Sequence, residues 1–550
     1  MKFSIEIRRE RSPEVIFITA GKREYVITVW LTLKEGEIMD LMTNNEVSCP
    51  MELEVSVPVE DTLRVNSGKA KITKAVIIAA GRGSRLNGYQ DGRPKPLLEV
   101  GGLPLIERVI RSAKRAGITE FVIVIGYQGE VVKKSVDEQA LGVKITWVYN
   151  DEWEKQNGVS VLKASDYIKD NFLLFMCDHI FDYRILEKVR IPSQSNHSAL
   201  LFVDHYLDRV NDLEDATKVY TEHNRLIDLG KELTHFNAID IGIFICSPAI
   251  FDALRESQAN GDDSLSGGVR VLAQRGEMGT IDIEDHFWQD VDTVSDVRYA
   301  EKLLLQATRS PKDGFIARTV NRPISNLISR WLVKTSLTPN QLSVLNFLFT
   351  AFIAWLVAAG KPFHTIVSGV LFQFASIFDG CDGEVAIIRL EDSEKGALLD
   401  TIMDYLSYIV FIIGVTIGAY QTTHNPELFY IMGGIILLVI IAVKVGLKSI
   451  ANNSGSMKDF ADIMRKLNYS KNKKWYIKFF TILHPIGRRD LFSFLSLLVM
   501  LTGSVLLYYW LMMSAVLLMT MGITLIAYHL ITGKETENSP APHSRLVLTK

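Results

Sequence analysis

The last third of this 550-residue chain is largely apolar, and that constrains its fold more than any other feature. Six stretches, at residues 341–359, 364–381, 397–420, 427–447, 490–509 and 511–532, each come near the length a helix needs to cross a hydrocarbon core, ~20 residues. Within this region four aspartates, Asp379, Asp382, Asp400 and Asp404, stand at regular helical spacings. A carboxylate at membrane depth is costly, and it persists where it faces a bundle interior or cavity, usually beside a cation. The i,i+3 spacing of the first pair and the i,i+4 spacing of the second place each pair on one helix face. Two such faces turned toward each other have the geometry of a metal site.

The remainder of the chain reads as soluble. A formal net charge of −3 with 22% charged residues carries no global nucleic-acid signature. The opening residues lack the apolar core of a cleaved signal peptide. Four cysteines, Cys49, Cys177, Cys246 and Cys381, stand far apart without metal or redox spacing, which suits a reducing cytoplasm. The composition lacks the Lys/Glu enrichment of hyperthermophiles.

The expected architecture is multidomain: a small β-rich N-terminal unit, an α/β Rossmann-like domain, and an all-α six-helix transmembrane domain. Residues 1–72 hold short alternating stretches such as Tyr25–Trp30 and Glu52–Val59, with no chemical motif. Residues 73–307 alternate strands (Ala75–Ala80, Phe121–Ile125, Phe172–Met176) with helices such as Leu105–Ala116, stopped by Gly117. That alternation predicts a mostly parallel sheet. Residues 308–340 make a polar linker and a basic amphipathic stretch, Arg318–Lys334, suited to a membrane surface. Residues 341–535 form the membrane domain and 536–550 a polar tail. The 448–489 connection carries ten Lys and Arg residues and Gln421–Glu427 none, so the positive-inside rule puts the former in the cytoplasm. With six spans, the soluble domains and the acidic motif lie on that same side of a cell membrane.

In the soluble part, Ala80-Gly81-Arg82-Gly83-Ser84-Arg85 follows a predicted strand. Its glycines let backbone approach a phosphate while N–H groups and arginines supply positive charge. Arg93-Pro94-Lys95-Pro96 then presents one lysine on a stiff loop. Together these resemble the signature of nucleotidyltransferases that activate sugar and alcohol phosphates. The resemblance implies nucleotide binding by Ala80, Gly81, Gly83, Arg85 and Lys95, with Lys95 also catalytic. It implies a divalent metal, Mg²⁺ or Mn²⁺, on Asp178 at a strand end and on Asp290 of Trp288-Gln289-Asp290-Val291-Asp292-Thr293, with Asp292 as partner or alternative. Asn157 and Ser160 occupy the family's substrate-binding region, and His179, beside Asp178, has two readings, a functional residue or, the one preferred, a satisfied structural histidine.

The acidic motif resembles that of the CDP-alcohol phosphotransferases, Asp–x2–Asp–Gly–x2–Ala–Arg–x8–Gly–x3–Asp–x3–Asp. Asp379, Asp382, Gly383, Ala386, Gly396, Asp400 and Asp404 fall in register; Ile387 replaces the arginine, with Arg389 two residues on. The resemblance implies metal ligation by Asp379, Asp382, Asp400 and Asp404, proton abstraction by Asp404, and nucleotide contact at Gly383 and Gly396. Asn321-Arg322-Pro323 and Thr338-Pro339-Asn340 resemble the entry to the first span, and the latter is also a helix start on its own chemistry.

The two resemblances combine into one sequence of reactions, CMP transfer from CTP to an alcohol phosphate and then consumption of the CDP-alcohol. The arrangement over 74–550 resembles the family of bifunctional inositol-1-phosphate cytidylyltransferases and CDP-inositol transferases. It implies membrane lipids as surroundings, no nucleic acid, and a homodimer through the membrane helices. A different polar alcohol, a lipid acceptor that would make the chain a phospholipid synthase, and a degenerate regulatory N-terminal domain are the alternatives.

Overall fold

The computed structural model describes the backbone of residues 3–8, 15–20 and 23–28, and residues 72–86, 92–190, 197–310, 313–453 and 489–532. Phe3–Arg8 (β1), Val15–Ala20 (β2) and Arg23–Thr28 (β3) form an antiparallel meander, with Ile5 opposite Ile18 and Phe17 opposite Val26. The strand expected from Tyr25 falls in β3, whereas Glu52–Val59 lies outside the described residues.

Residues Lys69–Lys534 form one compact unit. Its sheet grows around Lys74–Ala79 (β4), whose residues after Lys74 are all buried. An unbroken apolar run is what a strand covered on both faces requires. Glu99–Val100 (β5) and Leu103–Pro104 (β6) make a small hairpin that leads into Leu105–Arg115 (α1). Gly117, at φ 96, ends α1 as expected: the Gly117 and Ile118 N–H groups return to the Lys114 and Ala113 carbonyls, the Schellman pattern that favours glycine.

Glu120–Ile125 (β7), Gly129–Glu138 (α2), Lys144–Tyr149 (β8), Asn157–Lys163 (α3) and Phe172–Met176 (β9) follow. The strands β9, β4, β7 and β8 are neighbours and all parallel. After a short strand, His179–Phe181 (β10), the pattern changes. Ala199–Asp204 (β11), Lys218–Glu222 (β12), Arg225–Gly230 (β13) and Ala238–Cys246 (β14) extend the sheet, largely in antiparallel pairs. Ala249–Ala259 (α4), Leu265–Gln274 (α5), Met278–Asp282 (β15), Trp288–Asp290 (β16) and Val294–Ala307 (α6) complete the domain. The nine-stranded order is β11-β15-β13-β12-β14-β9-β4-β7-β8. The sheet is therefore mixed rather than mostly parallel. Its β12–β13 hairpin turns on His223 and Asn224, both at positive φ, the conformation a two-residue hairpin loop demands.

The second part of the unit is helical. A π-turn at Ala317–Asn321 runs into Arg322–Leu332 (α7), which leaves Leu327 and Trp331 exposed. Pro339–Val357 (α8) starts at a capping box in which Thr338 and Gln341 satisfy each other's backbone N–H groups, the helix start expected at Thr338-Pro339. Pro362–Ile388 (α9), Glu394–Thr423 (α10), Glu427–Asn453 (α11), Arg489–Met500 (α12) and Val505–Thr532 (α13) follow. Among the described residues, α8 and α10 are long and apolar enough to cross a membrane.

The break expected at residue 510 falls instead at Leu501–Ser504, where Gly503 turns the chain at φ 75 against Pro362. Thr502-Gly503-Ser504, a short glycine-containing break between apolar runs, is its sequence signal. A core of Phe372, Phe411, Val415, Tyr508 and Tyr509 joins the helices, with Phe372 and Phe411 stacked at 4.1 Å. At Gly414 and Gly418 of α10 a Cβ would run into the Ala354 and Val357 carbonyls of α8, the close approach that small residues allow. Trp355, Phe363, Tyr430 and Leu437 point outward, an apolar exterior that water alone would not favour.

Candidate active sites

In the soluble domain, three strand ends bring the predicted residues together. Ala80 directly follows β4, and its carbonyl accepts the Tyr127 N–H at 3.0 Å. Gly81 faces open space, while Gly83 (φ 66) lies where a Cβ would come within 2.6 Å of Lys95 Cβ. That glycine is needed on both counts, backbone conformation and proximity. Lys95 sits in a short 3-10 turn between Pro94 and Pro96 and is buried. Its Nζ donates to Asp178 Oδ2 at 2.6 Å and to Asp292 Oδ1. Burial opposes the Lys95 charge, but Asp178 and Asp292 outweigh it and raise its pKa. Burial likewise opposes the Asp178 charge, but Lys95 and His179 hold its carboxyl well below the usual range.

His179 is held on three sides. Its Nδ1 lies 2.8 Å from Asp178 Oδ1, its ring stacks on Trp288 at 6.1 Å, and Gly242 (φ 71) leaves it room. Asp290 is paired across the β10–β16 ladder with His179, and burial raises its pKa. Trp288 is itself anchored by Nε1 donating to Asp204 Oδ2 at 2.9 Å. Arg85 bridges Asp215 (2.5 Å) and Asp292 (3.2 Å), and Lys231 reaches Asp215 at 2.5 Å. These groups surround a cavity of about 190 Å³ lined by Asn157, Asp178, Lys231, Asp240, Asp290 and Asp292, among others. Asn157 also accepts the Leu265 N–H at the start of α5 (2.9 Å). Ser160 is buried outside the cavity lining, accepting from Asn150 at 2.9 Å. Asp215, Lys231 and Asp240 were not singled out from sequence, since no local pattern marks them.

In the helical part, Asp379 and Asp382 on α9 face Asp400 and Asp404 on α10. Asp379, Asp400 and Asp404 each offer an oxygen within 4.8 Å of the others. The α8 helix holds the first pair: Asn346 Nδ2 donates to Asp379 Oδ1 at 2.9 Å and Ser343 Oγ to Asp382 Oδ2 at 2.5 Å. The Gly383 N–H also donates to Asp382 Oδ1 at 2.6 Å, and space is open beside Gly383. Gly396 lies in the first turn of α10, its N–H donating to the cap residue Ser393 at 3.1 Å. Arg489, at the start of α12, reaches into the cluster, with Nη1 at 2.6 Å from Asp379 Oδ2 and against Asp404 Oδ1. An all-oxygen donor set converging on one point, balanced by a cation, fits a hard divalent ion.

Ile387 is partly exposed, and Arg389 does not take its place at the carboxylates. Arg389 is buried, and its guanidinium donates to the carbonyls of Leu332, Val333, Thr335 and Leu337. On the opposite flank, Glu384 is buried against Arg322 (2.7 Å) and Ser325 (2.6 Å), and Asn321 accepts from Gln373 at 3.0 Å.

Residues 75–277 match the MobA-like NTP transferase domain family, and residues 336–483 the CDP-alcohol phosphatidyltransferase family. Fold and sites together define a two-site enzyme, a nucleotidyltransferase and a CDP-alcohol phosphotransferase in one chain. The chain is 33% identical to the bifunctional IPC transferase and DIPP synthase of Archaeoglobus fulgidus, over 72% of this chain and 76% of that protein. It is 38% identical to the protein of that name from Rubrobacter xylanophilus, over 63% of this chain and 77% of the relative. The solved structure of the inositol-1-phosphate CTP transferase from T. maritima matches 42% of this chain and 97% of its own at 25% identity, with a TM-score of 0.39. The chain belongs to the family of bifunctional IPC transferase and DIPP synthases.

Proposed function

We propose that the soluble domain transfers CMP from CTP to inositol 1-phosphate, and that the membrane domain then passes phosphoinositol from CDP-inositol to an anionic inositol phosphate acceptor. The inositol assignment is supported by the chain's membership of the family of bifunctional IPC transferase and DIPP synthases. The observation that carries the two-step reading is the convergence of Asp379, Asp400 and Asp404 around Arg489 in the same compact unit as the Lys95–Asp178 site.

In the first step an oxygen of the alcohol phosphate attacks the α-phosphorus of CTP, and the bond to pyrophosphate breaks. Lys95 is fixed by two carboxylates so that its ammonium faces the incoming phosphates; Gly81, Gly83 and Arg85 line their approach. Lys231 and Asp240 receive the alcohol phosphate in the cavity. Asp178 and Asp290 would hold Mg²⁺ or Mn²⁺, with Asp292 anchoring Lys95.

In the second step the acceptor hydroxyl oxygen attacks the phosphorus that bears the alcohol, and CMP leaves. Asp404 takes the hydroxyl proton, and Arg489 is the cation at hand for an acceptor phosphate. Asp379, Asp382, Asp400 and Asp404 would hold the metal ions, which when bound neutralise the pyrophosphate and lower the barrier to in-line displacement. Ser343 and Asn346 orient the first two carboxylates, and Gly383 leaves space for the nucleotide.

Six spans with both sites cytoplasmic agree with the basic 448–489 connection and with the soluble domain packing against the α9–α10 end of the helices. An outward apolar face of α10, including Leu398, Ile402, Tyr405 and Ile409, supports a homodimer or lipid contact there. Membranes supplied with CTP, labelled inositol 1-phosphate and Mg²⁺ test the acceptor: a water-soluble diester is expected. Label in the chloroform phase would replace it with the lipid-acceptor reading.

A further inference from the structure

The C-terminus of α9, the helix that carries Asp379 and Asp382, is closed by the soluble domain. A helix end leaves its last carbonyls without partners in the helix. Two are satisfied locally: Leu390 adopts φ 54, its N–H returns to Ile387 O at 3.2 Å, and the Glu391 N–H returns to Ala386 O at 2.8 Å. The next two are taken by α1. Arg108 Nη1 donates to Ile388 O at 2.7 Å, and Arg111 Nη1 to Arg389 O at 3.3 Å. Cations at this end also oppose the helix dipole.

Arg108 is only 2% exposed, and its second terminal nitrogen donates to Val100 O at 2.6 Å. Val100, Leu105 and Leu304 share a buried cluster with Val385, Ile388 and Leu342 of the helical part. The β5–β6 turn fits tightly there: at Gly101 and Gly102, both at positive φ, a Cβ would meet the Ile388 side chain and the Val333 carbonyl. From the other side, Arg389 ties the end of α9 to the chain just before α8. That helix carries Ser343 and Asn346, which hold Asp382 and Asp379. The end of α9 is thus gripped from two directions, about 9 Å along the helix from Asp382 at 1.5 Å per residue.

We propose that Arg108 is a positioning residue of the phosphotransfer site: the cytidylyltransferase domain supplies the cap that sets the placement of α9, and with it the geometry of the four carboxylates. A soluble domain that only delivered substrate would not need a buried guanidinium on this helix end. The inference rests on reading the acidic cluster as the phosphotransfer centre. Displacements near 1 Å at a reacting centre can cost about 10²-fold in rate, so a loosened cap is measurable without unfolding.

The test uses the full chain in detergent with CDP-inositol and inositol 1-phosphate supplied directly, bypassing the first reaction. CMP release is followed against Mg²⁺ concentration for the unmodified chain, Arg108→Met, Arg108→Lys and Arg111→Gln. Arg108→Met is expected to raise the half-maximal Mg²⁺ concentration and to lower kcat, each by about 10-fold. Pyrophosphate release from CTP in the same preparation should change less than about twofold. Arg108→Lys, still able to reach one carbonyl, should recover part of the loss, and Arg111→Gln should shift the Mg²⁺ midpoint less in the same direction. If Arg108→Met fails to fold, Arg111→Gln decides. An unchanged Mg²⁺ midpoint in folded variants, or equal loss of both activities, overturns the inference; no CMP release by the unmodified chain would instead overturn the phosphotransfer reading beneath it.

Discussion

Arg489 Nη1 lies 2.6 Å from Asp379 Oδ2, and the same nitrogen reaches Asp404. The soluble site has a counterpart in Lys95, held at 2.6 Å from Asp178 Oδ2 and against Asp292. In both places a basic side chain occupies the point where carboxylates converge, offsetting their mutual repulsion.

Arg489 therefore competes with a divalent ion for Asp379 and Asp404. Arg489→Ala should lower the Mg²⁺ concentration needed for half-maximal CMP release and raise the KM for an anionic acceptor by at least about 10-fold, a loss near 1.4 kcal/mol. Steady-state rates with the two concentrations varied separately check this. A rise in the Mg²⁺ requirement would show that the guanidinium supports the ion rather than opposing it.

Asp290 and Asp292 sit two residues apart in different surroundings, one against His179 and the other on Lys95. Asp290→Asn should raise the Mg²⁺ requirement of pyrophosphate release, whereas Asp292→Asn should raise the KM for CTP by freeing Lys95. Asp178→Ala, which touches both Lys95 and His179, should cost at least about 10²-fold in kcat. Pyrophosphate release that survives Asp178→Ala unchanged would remove this carboxylate from the site.

Asp240 lines the soluble cavity, and burial raises its pKa to about 6, against the pull of the Gly242 N–H and His179. Its folded pKa lies above the unfolded value of about 3.9, so folding takes up a proton between those two pH values. Its contribution to stability is present at low pH and is lost as pH rises through about 6. Binding runs the other way, because only the ionised form accepts two hydrogen bonds from a polyol without donating one. The KM for the alcohol phosphate should fall as pH rises through about 6, and Asp240→Asn should flatten that dependence. An unchanged profile in Asp240→Asn would assign the titration elsewhere.

What the sequence revealed was mostly local. The register Asp379, Asp382, Asp400 and Asp404 was legible because helical periodicity turns spacing directly into faces. Ser343 and Asn346, three residues apart in an apolar helix, have the same kind of spacing but were not singled out from sequence. Arg489 counted only as one of ten basic residues near a long connection, and nothing in its spacing tells which one returns to the carboxylates. Tertiary placement excludes Arg389 as a replacement: its guanidinium clamps Leu332–Leu337, so it does not substitute for an arginine facing the site, and nothing in the structure explains the isoleucine at 387. Likewise, the antiparallel half of the sheet depends on which strands meet, and the β12–β13 turn at His223-Asn224 lacks the glycine that usually marks such a hairpin.

The central claim is that two separate sites act in succession within one chain. Its most direct test is mass spectrometry of the products formed by Asp404→Asn from CTP, inositol 1-phosphate and Mg²⁺. The account predicts that CDP-inositol accumulates at close to the unmodified rate of pyrophosphate release while diester formation falls by at least about 10²-fold. Loss of both products, or diester formed at the unmodified rate, would contradict it.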